Sequence, residues 1–295
     1  MGLFIDKCIV CGELSAIYDK YASSYLSLPS SVRVKKCSCG MRWLYPIPDE
    51  EDYINIYSNQ YYNHDMLGKG SYNKMIKYKY TWFNLRIDHL AKKYPNHRSI
   101  LDIGAATGEF IKIAKDKGYA AEGIELSEYA CKEALAKNNV FLYNGTIDNY
   151  LKCNPNRLFD IVHMGHVFEH FANPDETLNS ISSLLNENGI LVIEVPNQFN
   201  SLEDLIRLYL IKDKIQFTSM SLHHPYFYSK SGLLALVQRH GFQVDHITTN
   251  PNGRYLNNIG YNKIILRNLF RFAELALGMG PYIELYAIKH NDHLI

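Results

Sequence analysis

Leu101-Asp102-Ile103-Gly104-Ala105-Ala106-Thr107-Gly108-Glu109-Phe110 reads as a buried strand that runs into a glycine-bearing turn and then into a helix. Ile100, Leu101 and Ile103 make the short apolar run of a central parallel strand, and apolar positions resume at Phe110, Ile111, Ile113 and Ala114 with helical spacing. Gly104 and Gly108 lack the Cβ atoms that would hold a ligand away from the backbone or resist a tight turn. Glu125 closes the next apolar stretch, Ala120 to Ile124, about 20 residues after the turn, where a carboxylate can accept hydrogen bonds from a ribose. The combination points to an adenosine-type ligand, with another nucleotide or a ligand-free turn as the alternatives.

A dinucleotide fingerprint would be G-x-G-x-x-G with a helix N-terminus aimed at a pyrophosphate. Here the middle glycine is absent and Asp102 precedes the loop, so negative charge stands where two phosphates would be repelled. A ligand bearing an ammonium and a sulfonium suits that charge. Asp102 to Gly108 resembles motif I of the class I S-adenosylmethionine-dependent methyltransferases, D-x-G-x-G-x-G, with Ala106 in place of one glycine.

The likeness widens downstream. Phe159 to His170, then Asn173-Pro174, Leu184-Leu185, Gly189 and Val195-Pro196-Asn197 are similar in order and spacing to the fourth and fifth strand regions of small-molecule methyltransferases. The resemblance implies an α/β, Rossmann-like domain from residue 99 to 295, with a seven-stranded, mostly parallel sheet and insertions near 197–222 and 250–280. It also implies a cofactor site. Asp102, Gly104, Ala105 and Gly108 would meet the methionine end of S-adenosylmethionine, and Glu125 the ribose. Leu126, Thr146 and Ile147 would flank the adenine, while Met164, Gly165 and His166 would lie beside the sulfonium.

The element pattern agrees with alternating strands and helices, which build a parallel sheet covered on both faces. After the opening motif, a helix over 127–138 capped by Ser127 leads to a strand at Val140–Tyr143, and Leu158–Met164 forms another strand. A helix over 175–186 is ended by Gly189, and Ile190–Val195 forms the next strand before Pro196. Residues 201–214 read as an amphipathic helix. Ser229 caps a helix from Lys230 to Arg239, and Phe242–Thr248 and Tyr282–Lys289 are the closing strands.

Residues 1–48 carry Cys8-Ile9-Val10-Cys11-Gly12 and, after 25 intervening residues, Cys37-Ser38-Cys39-Gly40. Four thiolates at Cys8, Cys11, Cys37 and Cys39 can close a tetrahedral zinc site and hold in shape a segment too small to bury its own core. The C-x-C spacing of the second pair is one residue short of the usual ribbon, and two unrelated pairs of buried thiols are the alternative. This zinc-ribbon-like module followed by a tyrosine-rich connector is similar to methyltransferases that carry an N-terminal zinc-binding module, several of which act on sugars.

Residues 49–98 form a helical linker or lid. Asp49 looks like a helix start with Glu50, Glu51 and Asp52 in its first turn, and Tyr61 and Tyr62 are pocket candidates. Met75, Tyr78, Trp82, Leu85 and Leu90 then mark one face of a helix that packs on the sheet and stops at Pro95.

A hydroxyl acceptor needs its proton removed, and histidine has the right range for that work. His166, His224, His223 and His170 are the candidate bases, the middle pair lying in a loop that in the resembled enzymes borders the acceptor site. His166-Val167-Phe168-Glu169-His170 also spells H-x-x-E-H, the inverted zinc-peptidase signature. A peptidase needs a third ligand on a suitable helix, and the strand order already accounts for this segment.

A net charge of +1 over 295 residues gives no broad field to steer nucleic acid. The start does not look like a signal peptide, and no run of about 18 apolar residues is present. Six cysteines without an export signal suggest reduced thiols and a cytoplasmic location. A basic amphipathic helix over 261–278, with Ile264, Ile265, Leu269, Phe272, Leu275 and Ala276 as its stripe, suits core packing or a homodimer contact, with a membrane surface as the alternative. The resemblance favours methyl transfer to a small polar acceptor, a sugar, nucleotide sugar or surface-glycan precursor, with oxygen favoured over carbon. An RNA methyltransferase gripping nucleic acid through the Cys module, or a non-catalytic binding protein on this fold, are the other classes.

Overall fold

A computed structural model describes residues 2–47, 71–212, 214, 222–250 and 264–290. The helix start at 49–52, the pocket candidates Tyr61 and Tyr62, and residues 215–221 and 251–263 of the two insertions lie outside the described residues.

In chain order the elements are β1 (Ile17–Tyr18), α1 (Lys20–Tyr25), β2 (Arg33–Lys36), β3 (Arg42–Tyr45), α2 (Ser71–Lys93), β4 (Ser99–Ile103) and α3 (Glu109–Asp116). There follow β5 (Ala120–Glu125), α4 (Glu128–Asn138), β6 (Tyr143–Asn144), α5 (Ile147–Cys153), β7 (Phe159–Gly165), a 3-10 turn (Phe168–His170), α6 (Pro174–Leu184) and β8 (Leu185–Pro196). The last are α7 (Leu202–Leu205), a π-helical turn (Ile206–Ile211), β9 (Tyr226–Phe227), α8 (Lys230–Arg239), β10 (Phe242–Asn250), α9 (Ile264–Leu277) and β11 (Tyr282–Lys289).

Seven strands form a mixed sheet in the order β10-β11-β8-β7-β4-β5-β6. β4 pairs in parallel with β5 on one side and β7 on the other, so the strand order reverses at β4, the kind of switch point at whose carboxyl end open α/β sheets bind ligands. Ile100, Leu101, Ile161 and Val162 are fully buried in those strands, each worth about 1.5–3 kcal/mol of apolar transfer. Asp160 fixes the register at the opposite end by accepting from the N–H groups of Arg98 and Ser99 at 2.8 and 2.9 Å.

The chain divides into two compact units. One comprises Glu50–Val167, Asn173–Val192 and Ile288–Ile295 and holds the β4–β7 switch point. Ser127, the cap read from the sequence, accepts from Ala130 N–H, and Thr146, not read as a cap, starts α5 by accepting from Asn149 N–H. The other comprises Met1–Asp49, Phe168–Ala172 and Ile193–Ala287 and contains a four-stranded sheet, β1-β2-β3-β9. Its core joins Ala22, Tyr25, Val34 and Leu44 to Phe199, Leu208 and Phe227, so the N-terminal segment completes its sheet and core with residues some 180 positions downstream. Asp19 caps α1 and accepts from Arg42 Nε at 2.9 Å, a buried ion pair that ties α1 to β3.

Several expected boundaries shift. The strand expected at Val140–Tyr143 is only Tyr143–Asn144, because this sheet edge pairs with β5 at Ile124 and Glu125 alone; Val140 and Leu142 are buried without joining the ladder. Gly189 does not end α6. The helix stops at Leu184, and Gly189 lies inside β8 beside Asn188, which takes a left-handed φ of 59°. The helix expected over 201–214 is a single α-turn that widens into a π-helical turn and ends at left-handed Lys212. In α9, Leu269, Phe272 and Leu275 are exposed, so these three positions of the stripe are not core packing.

Candidate functional site

The turn after β4 is held from beneath. Gly104 and Ala105 N–H both donate to Ile124 O of β5, at 2.8 and 3.1 Å, and Gly108 N–H donates to Ala105 O at 2.9 Å. Ala106 sits in the left-handed region, φ 49°, at the position where motif I has a glycine. Its N–H donates to Glu125 Oε2 at 2.9 Å, and Ser127 N–H donates to Oε1 at 2.9 Å. Glu125 is thereby fixed at the carboxyl end of β5. Burial pushes its carboxyl above the ordinary range, opposed by those two N–H donors and reinforced by the charge of Asp102.

The glycines are also required by the protein packed around them. A Cβ on Gly104 would lie 2.3 Å from Val167 Cγ2, and one on Gly108 would lie 3.2 Å from Ala134 Cβ and Val140 Cβ. Both have φ near +75°, at 73° and 79°. Their missing side chains make room for neighbouring protein and permit the turn.

Beneath the turn lies a buried trio that the sequence reading passed over. Arg86 Nη1 lies 2.9 Å from His163 Nε2, and His163 Nδ1 lies 2.7 Å from Asp102 Oδ1. A guanidinium only donates, so Nε2 accepts, the proton sits on Nδ1, and the neutral ring donates to Asp102. Phe110 stacks on the ring at 4.0 Å. The available signal was a histidine in the middle of an apolar strand, Ile161-Val162-His163-Met164, which periodicity alone reads as core.

The remaining cofactor candidates are placed as follows. Leu126 is exposed after β5, and Asn144 Nδ2 donates to both Glu125 O and Leu126 O at 3.0 Å. Thr146 uses its hydroxyl to cap α5, and Ile147 is buried in the first turn of that helix. Met164 is fully buried, Gly165 ends β7, and His166 follows in a left-handed conformation, φ 60°. Such a backbone costs about 1–2 kcal/mol in a residue with a Cβ, and strain of this kind collects at functional sites.

The residues fit S-adenosylmethionine. Two buried carboxylates, Asp102 and Glu125, converge at the switch point, and residues 102–108 contain no lysine or arginine to receive a pyrophosphate.

In the other unit, Cys8, Cys11, Cys37 and Cys39 bring their four sulfurs within 4.8 Å of one another. Cys8 Sγ lies 3.6 Å from Cys39 Sγ, and Cys11 Sγ lies 3.4 Å from Cys37 Sγ. Ligands at Zn–S lengths in a tetrahedron stand about 3.8 Å apart, so the donor set fits zinc. Gly12 N–H donates to Cys8 O and Gly40 N–H to Cys37 O, both glycines being left-handed, so the C-x-C pair makes the same kind of knuckle as the C-x-x-C pair. Burial pushes the Cys8 thiol far up and Cys39 to about 11. Burial also acts to raise Cys37, but the Cys39 N–H and the neighbouring thiols bring it down to about 7.

The same unit gathers His170, His223 and His224, whose ligand-capable atoms also lie within 4.8 Å of one another. Their ring centroids are 3.8 to 5.1 Å apart. His166 is not part of this group. The H-x-x-E-H run spans a strand end and a 3-10 turn instead of one α-helix, so its two histidines are not one helical turn apart as the peptidase signature requires.

An α/β sheet with this strand order, a glycine-bearing turn at the switch point and an acidic residue closing the neighbouring strand define a Rossmann-like methyltransferase. A family model described as a methyltransferase domain matches residues 76–247, more than half of the chain, and the chain belongs to that family: it is a class I S-adenosylmethionine-dependent methyltransferase. Solved structures share the fold. The plantazolicin methyltransferase BamL, in complex with a triazolic desmethylPZN analog and SAH, is 17% identical, with a TM-score of 0.53 over 82% of this chain and 97% of that one. The plantazolicin methyltransferase BpumL in complex with SAH is 18% identical, with a TM-score of 0.51 over the same shares, 82% and 97%. A malonyl-(acyl-carrier protein) O-methyltransferase of Halalkalibacterium halodurans is 28% identical over 120 residues, 38% of this chain. The match covers 44% of that relative's length. Among the described residues no helix is long and apolar enough to cross a membrane.

Proposed function

We propose that this methyltransferase acts on a small polar acceptor, a sugar, nucleotide sugar or glycan precursor, with transfer to oxygen favoured, and that it works in the cytoplasm. The observation that carries the cofactor side is Glu125, a buried carboxylate fixed by the N–H groups of Ala106 and Ser127 at the end of β5. Its remaining lone pairs are the acceptors for the ribose hydroxyls, with exposed Leu126 against the adenine and Thr146 and Ile147 beside it. Asp102, Gly104, Ala105 and Gly108 serve the methionine end, and Met164, Gly165 and His166 the sulfonium side.

S-adenosylmethionine supplies a methyl group on a sulfonium with a neutral leaving group. The chain's task is therefore to align the acceptor and exclude water, for which proximity accounts for about 7–11 kcal/mol of barrier lowering. Removal of a hydroxyl proton by a histidine adds roughly 10² to 10⁴-fold. His166, His170, His223 and His224 are the candidates. The Halalkalibacterium relative is an O-methyltransferase, which supports oxygen over carbon. Cys8, Cys11, Cys37 and Cys39 hold a structural zinc ion.

The test is transfer of labelled methyl from S-adenosylmethionine to a panel of nucleotide sugars, free sugars, acyl carrier proteins and RNA. Label on a sugar-containing acceptor is expected. Label confined to the acyl carrier protein or to RNA overturns the acceptor assignment.

A further inference from the structure

We propose that His170, His223 and His224, with Glu169 beside them, form a second metal site, one that takes a divalent first-row transition ion and is separate from the four cysteines. The inference deepens the acceptor side of the proposed function, because it turns three candidate bases into ligands and leaves His166 as the base. It rests on that reading only for its place in the reaction.

The tautomers come first. His170 Nδ1 lies 2.8 Å from the carbonyl oxygen of His223, and His224 Nδ1 lies 3.3 Å from Gln198 Oε1. Both partners are oxygens that accept, so each Nδ1 carries the proton and donates it. In a neutral ring the lone pair then sits on Nε2. This is the arrangement that metal-bound histidines adopt: one ring nitrogen donates to a carbonyl or carboxylate and the other faces the ion.

Both Nε2 atoms face the same acceptor. Glu169 Oε1 lies 3.9 Å from His170 Nε2 and 3.8 Å from His224 Nε2, and Glu169 is 2% exposed. These separations exceed the ordinary hydrogen-bond range of about 2.7–3.2 Å. They approach the ~3.4 Å between two N or O ligands on one tetrahedral ion. A divalent ion between them would draw both Nε2 lone pairs and the carboxylate toward one centre. His223 adds a third nitrogen, its ring 3.8 Å from that of His224 and 5.1 Å from that of His170. Three imidazoles select zinc, iron(II), cobalt or nickel over magnesium or calcium, which prefer all-oxygen shells.

Cobalt(II) separates the two sites, since thiolate ligands give an intense charge-transfer band and imidazoles give only weak d–d bands. The full chain, stripped and reloaded with cobalt(II), is expected to hold one equivalent beyond that accounted for by the thiolate band. A His170→Ala/His224→Ala variant is expected to lose that equivalent while keeping the thiolate band and the wild-type circular dichroism. Glu169→Gln, the milder change, is expected to weaken cobalt at this site by about tenfold or more. Wild-type cobalt fully accounted for by the thiolate band, or cobalt content unchanged in both variants, overturns the site. Metal binding is read on the chain alone and methyl transfer on labelled product, so failure of either leaves the other standing.

Discussion

Asp102 and His163 are cross-strand partners in the β4–β7 ladder, and their side chains meet at 2.7 Å beneath the motif I turn. The pair joins the strand that carries the turn to the strand whose end carries Gly165 and His166, and Arg86 closes the chain from α2. Asp102 is 4% and Arg86 2% exposed, so removing the ring leaves buried groups short of a partner. His163→Ala is expected to lower the unfolding free energy by about 3 kcal/mol. Urea unfolding measures it, and a loss below about 1 kcal/mol would show that the trio contributes little.

Ala106 and Gly104 should respond in opposite directions to small changes. Ala106→Gly relieves a left-handed alanine at the cost of chain entropy, for an expected gain of about 0.5–1 kcal/mol. Gly104→Ala places a Cβ against Val167 at 2.3 Å and is expected to cost about 2 kcal/mol or more. Thermal melts of both variants check the signs.

The raised Glu125 carboxyl sets a pH dependence. The folded chain binds this proton more readily than the unfolded chain. Between the ordinary carboxylate range and the raised value, the group's contribution to stability therefore falls as pH rises. Cofactor affinity should run the other way and weaken as pH drops through the raised value, because the carboxylate is the form that accepts from ribose. Glu125→Gln should flatten this part of the affinity profile; an unaltered profile would assign it to another group.

Zinc should hold the N-terminal sheet. Metal analysis is expected to find one zinc per chain bound by cysteine, and Cys37→Ser to abolish it and lower the melting temperature. A Cys37→Ser protein with full zinc and an unchanged melt would remove the four-cysteine assignment.

Much of the nucleotide-binding half was legible because its signals are local. Apolar runs, the Ser127 cap and the acidic end of β5 each lie within a few residues of what they determine. What escaped was non-local. Nothing near Cys39 announces that its carbonyl accepts from the hydroxyls of Ser229 and Ser231, or that β9 completes the N-terminal sheet. His163 hid in an apolar strand because its partners, Arg86 and Asp102, lie 77 and 61 residues away. The sequence likewise does not show Val167 packed against Gly104. The three histidines were visible singly as bases; their convergence on one another, and the approach of His170 and His224 to Glu169, needed the fold.

Titration calorimetry of S-adenosylmethionine into the wild-type chain and Glu125→Ala tests the central claim most directly. The expected result is saturable binding of one cofactor per chain, strongly weakened in Glu125→Ala, with circular dichroism unchanged. Absence of binding to the wild-type chain, or equal affinity in the variant, would contradict the site described above.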